Sequence, residues 1–293
     1  MPRSASADAA MRECVLGAAA ENSSPARGGR QRRQVVRQFA LALAASALAV
    51  LSAWAAPSPQ VAADGGHAAG TVSRHIDFSG YRWSVKRSDG KPIGPGPNIF
   101  SDSVENAWVD GAGRLHLRLT YRDGVWHCAE VVSERSFGYG SYHLTVESDL
   151  AELPEQVVLG FFTWSEDPRY HHREMDIEFI RPPAGKTGNA QYTVQPHEEP
   201  GQVEYWVWGP GNHPSVHTIH WTADEVRFRS NRGADRLAQW RYTNRQGIPL
   251  PGDETPRINL WLLDSLSTVE GQTVEVVISR FEYERGAGQF GGR

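Results

Sequence analysis

An all-β sandwich or jelly roll is the fold class that this 293-residue sequence predicts. Three observations predict it. Short runs alternating between apolar and polar residues recur through residues 76–286, as expected of strands whose successive side chains point to opposite faces. Turn signals rich in Gly, Asn and Asp separate these runs. Beyond the N-terminal segment, no long stretch repeats its apolar residues every 3.6 positions, as a buried helix would. One all-β domain of this size is ordinary.

The chain begins with a segment of a different kind. Residues 1–56 read as a signal peptide with a basic leader: Arg30, Arg32, Arg33 and Arg37 precede an uncharged stretch from Phe39 to Ala56 that is mostly Ala and Leu. Ala53-Trp54-Ala55 has the small-residue pattern of a cleavage site. A secreted or periplasmic protein is the expectation. The competing expectation is a retained membrane anchor through 39–56, since about 18 apolar residues approaches the shortest span of a bilayer. Cleavage would remove Cys14 and leave Cys128 alone, so no intrachain disulfide is expected and Cys128 reads as a small core residue. Residues 57–75, with Gly65-Gly66 and Ala68-Ala69-Gly70, read as a flexible linker, and 287–293 as a Gly-rich tail.

Strand-like runs then follow in order. Arg114 to Leu119 alternates strictly after the turn Asp110-Gly111-Ala112-Gly113, and Tyr142 to Glu147 does so after Gly138-Tyr139-Gly140. Further runs are Val157 to Trp164, Glu174 to Ile180, Ala190 to Val194, Val203 to Trp208, His217 to Trp221, Val226 to Arg229, Ile258 to Leu262 and Val274 to Glu284. Many short strands at regular spacing favour a sandwich or jelly roll.

One run carries the chemistry. Glu174, Asp176 and Glu178 occupy every second position, with Met175, Ile177 and Phe179 between them, so a strand would put all three acids on one face. Alternating acids on a strand are commonly a solvated face. Here no Lys or Arg interleaves, and three like charges repel one another, which favours a functional role. Retaining cleavage of a glycosidic bond needs one carboxylate to attack the anomeric carbon and a second carboxyl to protonate the leaving oxygen. Glu174 and Glu178 are the candidates. Their backbones would lie roughly 13 Å apart by strand rise, so long side chains on a curved strand must converge to the ~5–5.5 Å of retaining enzymes. Asp176 between them would raise a neighbour's pKa, as a general acid requires, or share a proton with the nucleophile.

Ten tryptophans allow sugar-stacking surfaces as well as a core. Trp164, Trp206, Trp208 and Trp261 lie in or beside strands, and alternation puts Trp206 and Trp208 on one face, consistent with a stacking platform. His171, His172 and Glu174 lack regular zinc spacing, so no metal and no cofactor are expected. There is no Gly-x-Ser-x-Gly elbow and no phosphate-cradling glycine loop. The slightly negative net charge and the absence of a basic cluster after residue 56 argue against a nucleic-acid partner.

With these residues in view, the chain resembles family 16 glycoside hydrolases, the group of lichenases, laminarinases, agarases and xyloglucan endotransglycosylases. The resemblance covers roughly residues 76–285. Its most specific element is Glu174-x-Asp176-x-Glu178 followed by Phe179. Around it, Phe137 to Tyr142, Gly160 to Trp164, His217 to Trp221, Ile258 to Trp261 and Phe281 to Tyr283 are similar to family segments in the same order. The resemblance implies a curved two-sheet antiparallel β-jelly roll of the concanavalin A type, monomeric, with a polysaccharide partner on its concave face. It implies that Glu174 is the nucleophile, Asp176 its helper and Glu178 the acid/base. Glu130, Trp164, Gln191, Asn259 and Trp261 would then touch substrate. The expected activity is a retaining endo-glycosidase acting on a β-linked polysaccharide; a transglycosylase or a noncatalytic carbohydrate-binding jelly roll are the alternatives. Departures from the lichenase pattern bear on sugar selection: His172-Arg173 replaces Trp-Asp, Gln191 to Gln195 loses an Asn and two Tyr, Ser230-Asn231-Arg232-Gly233 replaces an Asp-Gly turn, and Asp102 stands at a disulfide position.

Overall fold

The computed structural model describes residues 74–180, 188–211, 214–263 and 273–286. The expected signal peptide, nearly all of the expected linker and the Gly-rich tail lie outside the described residues. Among the described residues no helix is long and apolar enough to cross a membrane.

Two antiparallel layers carry the fold. The first runs, neighbour by neighbour, through β1 (His75–Phe78), β2 (Tyr81–Val85), β6 (Val125–Ser133), β15 (Thr255–Leu262), β8 (Val157–Trp164), β9 (Met175–Ile180), β10 (Ala190–Val194) and β11 (Val203–Trp206). The second runs through β4 (Ala107–Val109), β5 (Leu115–Arg122), β16 (Val274–Arg285), β7 (Gly140–Val146), β12 (Ser215–Trp221), β13 (Val226–Arg232) and β14 (Asp235–Tyr242). The hairpin between β5 and β6 joins the layers, and the two-residue β3 (Ile99–Phe100) adds a parallel pairing to β6. The expected all-β jelly roll is the observed one, with a curved sheet. Strand β1 begins one residue inside the segment read as linker.

The layers meet through aromatic side chains on the inward positions. Phe161 on β8 meets Phe281 on β16 edge to face at 6.2 Å, and Tyr192 on β10 stacks on Phe228 of β13 at 5.2 Å. Fully burying such side chains contributes roughly 1.5–3 kcal/mol each. Buried indoles need a partner for their N–H; Trp83 donates to Phe78 O and Trp221 to Pro249 O, both at 3.1 Å. Cys128 is buried as expected, and burial pushes its thiol up to about 12, which leaves it protonated and unreactive.

Trp206 and Trp208 do share a face, but it is the inward one. Both rings pack edge to face on Phe179, at 5.7 and 5.5 Å, and Trp208 also meets His217 of the second layer. Trp208 is a core residue and Trp206 is partly buried against the core, so their shared face is spent on packing rather than on a sugar platform. Alternation fixes which residues go together and leaves open which way they point.

Candidate active site

The acids stand where alternation puts them. Met175, Ile177 and Phe179 are buried in the core, while Glu174, Asp176 and Glu178 face the opposite side and line one cleft of about 270 Å³. Glu174 precedes β9 in extended conformation, after a short turn in which Tyr170, His171, His172 and Arg173 all have positive φ, between 48° and 60°. L-residues rarely accept that left-handed backbone, so the turn needs anchoring. The buried Arg173 guanidinium supplies it, donating to Leu250 O at 2.9 Å and to Asp167 Oδ2 at 3.2 Å. Gly252 makes room: a β-carbon there would lie 2.5 Å from Arg173 Nε. Ser165 N donates to His172 O and the Thr163 hydroxyl donates to Arg173 O, both at 2.7 Å, which ties the turn to the end of β8.

Burial pushes all three carboxyl groups up. Glu174 and Asp176 lie well above the usual carboxylate range, because they are desolvated and adjacent acids repel their ionised forms. The two are hydrogen-bonded to each other, which requires a proton on at least one of the two carboxyl groups. Burial lifts Glu178 to about 7, opposed by a 2.5 Å bond from Gln191 Nε2 to its Oε2. Gln195 Nε2 donates to Asp176 at 3.2 Å.

Strand register extends the site sideways. One row crosses the sheet as Tyr205, Gln191, Glu178, Gly160, Asn259 and Glu130, from β11 to β6. Gly160 has a packing reason, since a β-carbon there would fall 2.4 Å from Asn259 Oδ1. Glu130 is fully buried between two cations: Lys86 Nζ donates to its Oε2 at 2.8 Å, and Arg257 Nη1 lies 3.5 Å from its Oε1. That Oε1 and the buried Oδ1 of neighbouring Asn259 have no hydrogen-bond donor within the protein. Trp164 also lines the cleft, its ring stacked on His172 at 4.2 Å and nearly parallel.

Glu130, Trp164 and Asn259 thus join the three acids in one cleft, and Gln191 reaches it through Glu178. Trp261 does not. It lies on the same face of β15 as Asn259 but is only 4 % exposed and lies outside the cleft lining, with its ring close to Gly96 of the loop before β3. Lys86, Phe162, Glu166 and Arg257, with the loop segment Ile93-Gly94-Pro95, complete the lining, and the sequence does not single them out. Arg257 was within reach of alternation, being two residues before Asn259. Lys86 was not, because only the pairing of β2 with β6 brings it beside Glu130. Among the described residues no cluster of His, Cys, Asp and Glu could hold a metal ion.

Neither a protein-family profile nor a curated protein matches the sequence. Solved structures do match. The Bacillus licheniformis β-glucanase aligns with a TM-score of 0.50 at 19 % identity, over 73 % of this chain and 98 % of its own. An immunostimulatory antigen and pseudo β-1,3-glucanase of Mycobacterium tuberculosis aligns with a TM-score of 0.55 at 16 % identity, over 70 % of this chain and 91 % of its own. A laminarinase from Flavobacterium sp. UMI-01 gives 0.53 at 12 % identity, over 69 % and 93 %. The chain has the β-jelly-roll fold of these β-glucanase and laminarinase structures, the fold that its resemblance to family 16 glycoside hydrolases implied.

Proposed function

We propose that the protein is an exported, retaining endo-glycosidase of family 16 type that cleaves a β-linked, glucan-like polysaccharide. The observation that carries this reading is the placement of Glu174, immediately before β9, and Asp176 and Glu178 within it on one face and in one cleft, with Glu174 and Asp176 hydrogen-bonded to each other. Glu174 attacks the anomeric carbon as the bond to the leaving oxygen breaks, and the proton of that hydrogen bond settles on Asp176. Glu178, with a pKa near 7, gives its proton to the leaving oxygen. Glu178 then takes a proton from water, whose oxygen displaces Glu174 from the same carbon. Two displacements give net retention. No cofactor is needed. The donorless Oδ1 of Asn259 supports a polyol ligand, because a buried acceptor without a partner costs about 1–3 kcal/mol, and a sugar hydroxyl would satisfy it while also reaching the Glu130 Oε1 that only an ion pair with Arg257 holds.

The test is release of reducing sugar from a panel of β-glucans, galactans and xyloglucan, with proton NMR of the first anomer formed. Glu174→Gln should abolish cleavage while the protein stays folded, and azide should partly restore turnover to Glu178→Ala. An inverted product, or full activity in folded Glu174→Gln, refutes the assignment. A noncatalytic carbohydrate-binding jelly roll is the second reading, favoured by the neighbour described as a pseudo β-1,3-glucanase; binding by wild-type protein without cleavage anywhere in the panel would select it.

A further inference from the structure

The cleft is built on one side of the catalytic strand. Apart from the acids themselves, its lining comes from β8, β15, β6 and the segment after β2. On the other side lie β10 and the edge strand β11, and among the described residues neither contributes a side chain to the cleft lining. There Tyr205 lies in the same row as Gln191 and Glu178. Its neighbour Trp206 packs inward on Phe179 and Tyr192, so alternation turns Tyr205 and Val207 to the face that bears the acids. They are 62 % and 70 % exposed. Exposed apolar side chains on a sheet edge invite unwanted strand pairing, so their presence on this edge calls for a use.

We propose that Tyr205, with Val207 beside it, is the floor of a subsite for the sugar on the leaving-group side of the bond being cleaved. The proposal deepens the glycosidase reading and rests on it: the leaving oxygen belongs at Glu178, and the departing sugar then extends away from the walled side, over β10 toward β11. Two strand spacings, roughly 10 Å, separate β9 from β11, a span that a disaccharide covers. A phenol ring offers its plane to the C–H face of a pyranose, while the sugar hydroxyls stay in water. Partial desolvation and the charge of Glu178 both push the Tyr205 phenol up, so it remains neutral at working pH. The opposite flank recognises sugar differently, with Lys86, Arg257, Glu130 and Asn259 supplying charge and hydrogen bonds.

The test compares Tyr205→Ala and Tyr205→Phe on two substrates with the same donor sugars, an oligosaccharide with sugars on both sides of the bond and a glycosyl fluoride with none on the leaving side. Tyr205→Ala should lower kcat/KM on the oligosaccharide about tenfold more than on the fluoride, the size of one lost stacking contact. Tyr205→Phe, which keeps the plane, should recover most of that loss. Equal losses on both substrates, or no loss on the oligosaccharide, overturn the subsite. Calorimetric titration of the same oligosaccharide into the Glu174→Gln protein, with and without Tyr205→Ala, separates this proposal from the activity. If wild-type protein cleaves nothing but Tyr205→Ala weakens binding about tenfold, the glycosidase reading fails and with it the leaving-group assignment, and Tyr205 is left as a sugar contact only. Binding indifferent to Tyr205 overturns the subsite, and binding of no oligosaccharide overturns both.

Discussion

Replacing Gln191 by Leu should move the alkaline limb of the activity profile upward. Glu178 must hold a proton to act as the acid, so activity should fall as pH rises through about 7. The Gln191 amide donates at 2.5 Å to the Glu178 carboxylate, and a donated bond favours the charged form. Removing it makes ionisation harder and raises the pKa further. A hydrogen bond to a charged group is worth about 1.5–3 kcal/mol, and one pKa unit corresponds to about 1.36 kcal/mol, which gives one to two units. Glu178 is partly open to the cleft, where water can replace the lost donor, so the lower figure of about one unit is expected. The assay is kcat/KM on one β-glucan across pH 4 to 10, because that ratio reports the free enzyme. Plateau height can also change, since Gln191 lies beside the substrate path; the position of the limb is independent of it. A limb that stays in place, or moves down, would show that Glu178 is not the acid or that Gln191 does not hold its carboxylate.

Three further outcomes are expected. Gly160→Ala places a β-carbon 2.4 Å from Asn259 Oδ1, so kcat/KM should fall and stability should drop by about 1–3 kcal/mol in urea titration; unchanged values would mean that Asn259 swings away at no cost. Trp261→Ala should cost about 3–5 kcal/mol of stability, as for a core indole, whereas a stable variant with weakened substrate use would restore the stacking role. Glu178→Gln should be more thermostable than wild type above pH 7 and no more stable near pH 4. The folded pKa of about 7 exceeds the unfolded value of about 4.3, so the wild type becomes destabilised as pH rises between the two values, and the amide escapes this. Thermal melts at pH 4 and pH 8 check the sign.

Legibility in the sequence followed the number of faces a strand presents to water. Strand β9 was readable because its two faces differ, with acids on one and Met175, Ile177 and Phe179 on the other. Strand β6 was not: Cys128, Ala129, Glu130 and Val131 are all buried, with Glu130 held between Lys86 and Arg257 on the face away from the core, and alternation vanishes. Strand β14 escaped for the opposite reason, being an edge strand with Asp235, Arg236 and Leu237 all exposed. In the site, alternation grouped the three acids and would have grouped Arg257 with Asn259. It could not say that Trp261 is covered by the loop at Gly96, nor that Tyr205 stands in line with Glu178. Both facts depend on register between segments far apart in sequence.

The left-handed turn before Glu174 is where the molecule is expected to come apart first on heating. Four consecutive L-residues in that conformation cost on the order of 1 kcal/mol or more each, a substantial fraction of the roughly 5–15 kcal/mol that holds a typical domain together. The ion pairs and backbone bonds around Arg173 offset this cost only while they all remain formed. Opening of residues 170–173 is therefore expected to cost little, and it would release the backbone of Glu174 while β8 and β9 stay paired. Amide hydrogens of this segment should exchange through a local event rather than through global unfolding, and catalytic function should be lost on warming several degrees before the β-sheet signal.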